Sequence, residues 1–470
     1  MPFDLMQVAV DWLDDRLSYV LIALLLFVGF FFTFRLGFMQ FRHFGHTITV
    51  LKGSRQADNS GISSYQAFCT SMASRVGTGN IAGIAVAVTL GGPGAVFWMW
   101  VIAVVGMSTA FVESTLAQLF KVKDGAGQYR GGPAYYMEKG LNARWMGVMF
   151  SLFLILAYGF VFNAVQANTI GESLGAAFQI PTWVTGIIIM VLTALIIFGG
   201  LRKIARFSEA AVPLMAGVYL LAALIIVVAN YERLPAVFGL IYRSAFGLQE
   251  FAVGGFAAAI MQGVKRGLFS NEAGMGSAPN VAASATPYPP HPASQGYVQM
   301  FGVFVDTVII CTASAAIVLL SGVPLDSDAT GIRLVQMALE TEFGGWAKYL
   351  LAIIILFFAF TTIVTNYYYA ESCMVFLRKK KQSRLLLFRC CVAAMVFFGA
   401  VASVPLVWSM ANVSMTLMAV TNLVAILLLS PLAVRLAKDY NQQRQAGKLP
   451  TFKATDHPDI RRKLQDDIWD

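Results

Sequence analysis

The chain is written as a succession of apolar runs, most of them about 20 residues long, the length an α-helix needs to cross the hydrocarbon core of a bilayer. Eleven such runs stand near residues 18–34, 64–88, 93–120, 147–178, 183–200, 209–229, 251–282, 296–321, 346–377, 385–404 and 406–434. The bilayer core offers no water to free backbone groups, so each run must satisfy its N–H and C=O groups internally, as a helix does. Composition agrees: 57% of residues are hydrophobic and only 13% charged, with a mean hydropathy of +0.67, where soluble domains carry about 25% charged residues. The sequence predicts an all-α integral membrane protein with about 11 transmembrane helices.

The net charge of +9 does not point to nucleic acid, because the basic residues sit mainly in short loops between apolar runs and no solvated basic-aromatic surface accompanies them. Lys and Arg concentrate in alternate loops and in the tail from 435. By the positive-inside rule this puts the N-terminus outside and the C-terminus in the cytoplasm. The expected organisation is an extracytoplasmic N-terminus at 1–17, a membrane domain at 18–434 and a cytoplasmic tail at 435–470 that trails into solvent. The N-terminal stretch MPFDLMQVAVDWLDDR is acidic and lacks a basic leader region, so the first span reads as retained. The basic, aromatic stretch 35–56 is either an amphipathic helix on the inner surface or a plain loop. The run RKKK at 378–381 reads as a solvated loop. No GxxxxGK[ST] phosphate loop is present. Cys69, Cys311, Cys373, Cys390 and Cys391 read as small buried hydrophobes, and His43, His46, His291 and His457 fall in inner loops or the tail. Nothing here suggests an enzyme or an organic cofactor.

Two of the runs are broken. The second contains SRVGTGNIAG (74–83) and the seventh LFSNEAGMGSAPN (268–280). Polar, glycine-rich backbone at membrane depth is tolerated only when enclosed by protein or lining a cavity. Each break exposes one helix C-terminus, whose carbonyls suit a cation, and one helix N-terminus, whose amides suit a carboxylate. With the first span set aside, ten remain, and the breaks fall in the first helix of each set of five. Interrupted helices at matching positions of two halves are the sequence mark of a secondary transporter's binding site. A pair of kinks at tight helix crossings is the plainer alternative.

The segments GTGNIAGIAVAVTLGGPGAVFWMW (77–100), YRGGPAYYMEKGL (129–141), LFSNEAGMGSAPN (268–280) and HPASQGYVQMFGVFVDTVIICTA (291–313) closely resemble the alanine/glycine:cation symporter family. The resemblance runs from about 15 to 445. It implies a bacterial inner-membrane protein whose ten helices after the first form the 5+5 inverted repeat of the bacterial leucine transporter. It also implies symport of alanine or glycine with sodium, or with protons. VGTGN (76–80) is similar to the matching stretch of neurotransmitter-sodium symporters.

Within this frame the amides of Thr78, Gly79 and Asn80 should meet the substrate carboxylate, although Asn80 can instead simply cap its half-helix. Ser270, Asn271, Glu272, Gly274, Met275 and Gly276 form the second break: carbonyls here can accept the substrate ammonium, and Met275 limits side-chain size. Glu272 can bind the ammonium, hold sodium, titrate, or pair with Arg266 or Lys265. Asn163 and Gln166 share a helix face and either look into the cavity or bond helix to helix. The resemblance implies a sodium site in which hydroxyls of Thr361 and Thr362, with Thr365 nearby, face carbonyls of Ala73 and Val76; a hard cation wants several such oxygens. Threonine can also bond its own helix backbone. Arg75, Glu113, Glu172, Asp306 and Glu371 are further ionisable residues within spans, and sequence alone does not pair them. The expected activity is uptake of a small neutral amino acid with sodium by alternating access. The alternatives are proton coupling through Glu272 and, in another class, a channel.

Overall fold

The computed structural model describes residues 2–197, 201–248, 255–325, 329–377, 383–464 and 467–470. In chain order the main helices are α1 (Pro2–Arg35), α2 (Phe44–Gly53), α3 (Ser64–Arg75), α4 (Thr78–Gly91), α5 (Gly94–Leu119), α6 (Pro133–Gly140), α7 (Arg144–Phe178), α8 (Thr182–Ile197), α9 (Leu201–Ala229), α10 (Leu234–Ala245), α11 (Phe256–Asn271), α12 (Ala278–Ala283), α13 (Ala293–Leu320), α14 (Ile332–Phe343), α15 (Ala347–Leu377), α16 (Ser383–Val401), α17 (Val404–Leu428) and α18 (Ser430–Gln445). Seven of them (α1, α5, α7, α9, α13, α15 and α17) are long and apolar enough to cross a membrane, and α8 and residues 386–401 of α16 are shorter apolar helices. The other two candidate spans are the broken ones, now seen as α3–α4 and α11–α12.

Large apolar side chains point outward from the bundle, among them Leu214, Leu221, Leu224 and Val228 of α9, Leu195 of α8 and Leu386 and Leu387 of α16. Such a surface is stable only against lipid. The interior holds the opposite population: Thr78, Asn80, Glu113, Ser270, Glu272, Asp306 and Thr362 are all buried.

The broken helices are defined by local chemistry. Ser63 starts α3 with a capping box: its Oγ accepts from the Gln66 amide at 3.1 Å, and Gln66 Oε1 accepts from the Ser63 amide at 3.2 Å. The helix stops at Arg75, two residues leave helical geometry, and α4 resumes at Thr78. The second break is longer. Glu272 ends α11 in the left-handed region (φ 59), Gly274 (φ 92) and Gly276 (φ 80) continue the turn, and α12 restarts with Pro279 in its first turn.

The second broken helix is buttressed by α5, along which both α11 and α12 pack, and α13 packs against α5 as well. α15 lies against α7, and α1 against α17 and α5. Two helices relax into π-helical turns, α7 at Ile155–Val161 and α13 at Phe304–Cys311; such turns often mark functional positions. The far ends of the broken helices are tied by a two-residue parallel ladder, Ile62 to Ala285 and Ser63 to Thr286. Gln118 at the end of α5 reinforces it, its Nε2 donating to the carbonyls of Ala282 (2.5 Å) and Ala285 (2.9 Å).

Two expectations are revised. The tail does not trail into solvent: after α18, Phe452, Ile460 and Trp469 are buried, and Trp469 Nε1 donates to the Gln118 carbonyl at 3.2 Å. Apolar and aromatic side chains there find a ready surface, including the Lys121 ammonium 5.0 Å from the Trp469 ring centre. Cys390 and Cys391 are exposed on α16, whereas Cys69, Cys311 and Cys373 are buried. Residues 2–17, read as a segment outside the membrane, are helical and continuous with the first span. The 35–56 stretch forms the helix α2, with Thr47 and Val50 buried. The RKKK run lies outside the described residues.

Candidate substrate and ion site

The first break builds most of the site. At the start of an α-helix the first amides have no intrahelical partner. Here the Gly77 amide donates to Asn80 Oδ1 at 3.1 Å, and the Thr78 amide donates to Gln166 Oε1 at 3.1 Å. Asn80 thus caps α4, and Gln166 reaches the break from α7. The amides of Gly79 and Asn80 follow, at the positive end of the α4 dipole. The surroundings are close. A Cβ on Gly77 would lie 2.6 Å from Thr362 Oγ1 and 2.9 Å from Gln166 Oε1, and one on Gly79 would lie 2.6 Å from the Phe269 ring. Glycine is required at both positions by contact rather than by backbone angle. Phe269 meets Phe162 (ring centres 4.7 Å apart) and Trp408 (5.1 Å), so an aromatic wall stands beside the amides.

Asn80 does more than cap. Its Nδ2 donates to Asp306 Oδ1 at 2.6 Å and to Ser270 Oγ at 2.9 Å, and Ser270 and Thr307 donate to Asp306 Oδ2. Asp306 projects from the π-helical turn of α13, fully buried. This cluster joins both breaks to α13 through a carboxylate that the sequence reading counted as ionisable and left without a partner. An acidic residue within an apolar run was the only signal available for it.

On the other side of the break, the C-terminus of α3 faces α15. Thr362 Oγ1 donates to the Ala73 carbonyl at 2.8 Å and also to its own helix, at the Phe358 carbonyl, 3.0 Å. Val76, at the α3 C-cap, turns out of the helix with ψ 90. Among the described residues the hydroxyls of Thr361 and Thr365 bond only within α15, to the carbonyls of Phe358 (2.8 Å) and Thr361 (3.0 Å). Of the three threonines the structure brings Thr362 to the break.

The second break divides. Glu272 faces the first, its Oε1 accepting from Ser74 at 2.6 Å and its Oε2 from Ser277 at 2.7 Å. Ser74 also donates to Asn366, which in turn donates to Asn163 at 3.1 Å, so Asn163 bonds helix to helix. Lys265, one of the partners considered for Glu272, pairs instead with Asp14 at 2.9 Å. The following loop turns away: the Gly274 amide donates to Glu113 at 3.2 Å, Asn422 donates to Glu113 and to the Gly274 carbonyl, and a Cβ on Gly276 would meet Pro133, Asn422 and Phe150. Gly274 and Gly276 thus anchor the loop on α5, α6, α7 and α17. Met275 lies within it, fully buried. Asn271 holds the Ala273 amide through Oδ1, at 2.9 Å.

A bundle with lipid-facing apolar surfaces, two interrupted helices meeting at its centre, and cation-seeking carbonyls beside anion-seeking amides defines a secondary transporter of the broken-helix type. The solved structure of a manganese transporter from Eremococcus coleocola, bound to an aromatic bis-isothiourea compound, shares this fold, with a TM-score of 0.52 at 13% identity over 85% of this chain and 83% of that one. The sodium:alanine symporter family matches residues 3–454, and the chain belongs to that family. It is similar to the probable sodium/glutamine symporter GlnT of Bacillus subtilis (49% identical, covering 93% of this chain and 90% of that one). It is likewise similar to the sodium/alanine symporter AgcS of Methanococcus maripaludis (38% identical, 90% and 95%). It is a sodium-coupled amino-acid symporter, a multi-pass membrane protein and not an enzyme.

Proposed function

We propose that this protein carries alanine or glycine together with sodium into the cell, by alternating access around the first break. The observation that carries the reading is the approach of Thr362 Oγ1 to the Ala73 carbonyl at 2.8 Å across the gap between α15 and α3. A neutral hydroxyl and the exposed carbonyls of Ala73 and Val76 are the oxygen donors a sodium ion needs to replace its water, and they lie one turn from the amides that would hold a carboxylate. The substrate carboxylate rests on Gly79 and Asn80. Its ammonium is met from the Ser270–Glu272 side, with Ser74 and Ser277 orienting the Glu272 carboxylate. The aromatic wall of Phe162 and Phe269, with Met275 on the buried loop behind Glu272, would limit the substrate side chain to a hydrogen or a methyl. The name of the glutamine-linked relative makes size selection the point to test, because one added methylene changes affinity by only about 1–3 kcal/mol.

A second cation position is favoured by Asp306, whose carboxylate joins Ser270 and Asn80; it would hold either a second sodium or a proton. Eleven crossings are proposed: the seven long helices, α8, α16 and the two broken pairs. Loop charge supports residues 1–17 outside, 18–434 in the bacterial inner membrane and 435–470 in the cytoplasm. The test is uptake of labelled alanine into proteoliposomes with sodium and pH gradients imposed separately. Uptake that follows the sodium gradient at clamped pH supports the reading, and uptake driven by the pH gradient alone overturns sodium coupling.

A further inference from the structure

Arg266 lies five residues before the second break, on α11, on the face of the bundle that carries Asp14 and the start of α17. It is 3% exposed, and its Nε and Nη1 have no hydrogen-bond partner. Its guanidinium carbon stands 4.3 Å from the centre of the Trp408 ring. Neighbouring charges do not neutralise it: Asp14, the nearby carboxylate, is engaged by Lys265 at 2.9 Å, by Asn412 at 2.8 Å and by Ser18 at 2.9 Å. Among the described residues Arg266 forms no ion pair. A buried guanidinium with two idle donors is costly. Trp408 in turn meets Phe269, the two rings tilted at 50° with centres 5.1 Å apart, and Phe269 abuts Gly79. Gly83, one turn along α4 from the carboxylate-binding amides, brings the backbone within 3.4 Å of the Trp408 ring and 3.9 Å of Arg266 Cδ, measured from where a Cβ would stand. Arg266 and the α4 amides are thus two anion-seeking positions linked through the rings of Trp408 and Phe269.

We infer that Arg266 is a capture site for the carboxylate of the incoming amino acid, which it holds above the closed Trp408–Phe269 pair before the carboxylate passes to the amides of Gly79 and Asn80. The two idle N–H groups offer a carboxylate a charge-assisted pair of hydrogen bonds, and Trp408 gives the cation a resting partner when the site is empty. Rotation of the two rings opens the path, and the carboxylate exchanges one set of donors for another without an intervening stage in bare apolar surroundings. This assignment rests on the substrate and its orientation proposed above.

The experiment uses the full chain in proteoliposomes, wild type beside Arg266→Gln and Arg266→Lys, with insertion checked for each. Initial uptake of labelled alanine is measured at saturating sodium, and propionate, which has the carboxylate without the amine, is added as a competitor. Arg266→Gln should raise the Michaelis constant for alanine about tenfold or more, with the maximal rate changed less, and propionate should slow the wild type but not this variant. Arg266→Lys, which keeps the charge, should recover most of the loss. An unchanged Michaelis constant in inserted Arg266→Gln overturns the inference, as does a fall in maximal rate alone that Lys does not rescue. Replacing chloride by gluconate should leave wild-type uptake unaltered; chloride dependence that disappears in Arg266→Gln would assign the site to chloride instead. If the wild type shows no sodium-driven alanine uptake at all, it is the underlying reading that fails, not the role of Arg266 within it.

Discussion

Replacing Thr362 by valine deletes one oxygen and keeps the shape. The side chain stays β-branched, so helix propensity barely changes. What disappears is the hydroxyl 2.8 Å from the Ala73 carbonyl. With sodium bound between α3 and α15, the loss removes one ligand of a charged partner, about 1.5–3 kcal/mol, or roughly a 10- to 150-fold rise in the sodium concentration giving half-maximal uptake. The alanine requirement at saturating sodium should move far less. Thr361→Val is the internal comparison: its hydroxyl bonds only the Phe358 carbonyl of its own helix, so its effect should be clearly smaller. Thr362→Ser, which restores the oxygen, should return close to the wild type. The assay is initial-rate uptake in proteoliposomes across a range of sodium concentrations at fixed pH. If inserted Thr362→Val keeps the wild-type sodium dependence, the ion does not sit at the end of α3 and the reasoning is refuted.

Asn80→Ala should weaken alanine binding by about 1.5–3 kcal/mol, read by equilibrium binding in detergent; unchanged affinity would reduce Asn80 to a helix cap. Asp306→Asn should alter the sodium dependence or the pH dependence of uptake while leaving alanine affinity at saturating sodium nearly intact, and normal cation dependence would remove the second position. Met275→Ala should let valine and leucine compete with alanine; an unaltered competition profile would take Met275 out of the pocket. On the tail-bearing face, burial pushes His43 and His46 from 6.5 down to about 4. The unfolded segment therefore binds protons that the folded one refuses, and stability present above pH 6.5 is lost progressively as pH falls toward 4. Hydrogen exchange of α2 and α18 at pH 7.5 and pH 5 should show faster opening at the lower pH, and equal rates would mean these imidazoles stay solvated.

Much of this was readable in advance because the membrane makes polarity expensive. Ser74, Gly77, Asn80, Ser270 and Gly274 stand out in apolar surroundings, and that contrast alone located both breaks. Gln166 and Thr362 were legible through helix spacing and family likeness. Partnerships were not: Asn80 and Asp306 are 226 positions apart, and nothing local to either says that they meet. The division of the second break was equally hidden. Glu272 and Gly274 are two residues apart, yet one faces Ser74 and the other Glu113, because left-handed turns reverse the chain between them. Phe269 and Trp408 read as ordinary span residues until their rings are seen in contact beside Gly79.

The docking of Trp469 under Gln118 has a bearing on how the protein is made. Gln118 also grips the carbonyls that end the second broken helix, so a residue 351 positions further along the chain completes a contact with elements threaded into the membrane much earlier. Until that indole is in place, Gln118 holds the ladder between residues 62–63 and 285–286 with nothing docked behind it, and the nascent bundle is freer to breathe at this end than the finished one. Replacing Trp469 by alanine would keep the chain in that unfinished condition, whereas tyrosine, with a ring and a donor of its own, would restore part of the contact.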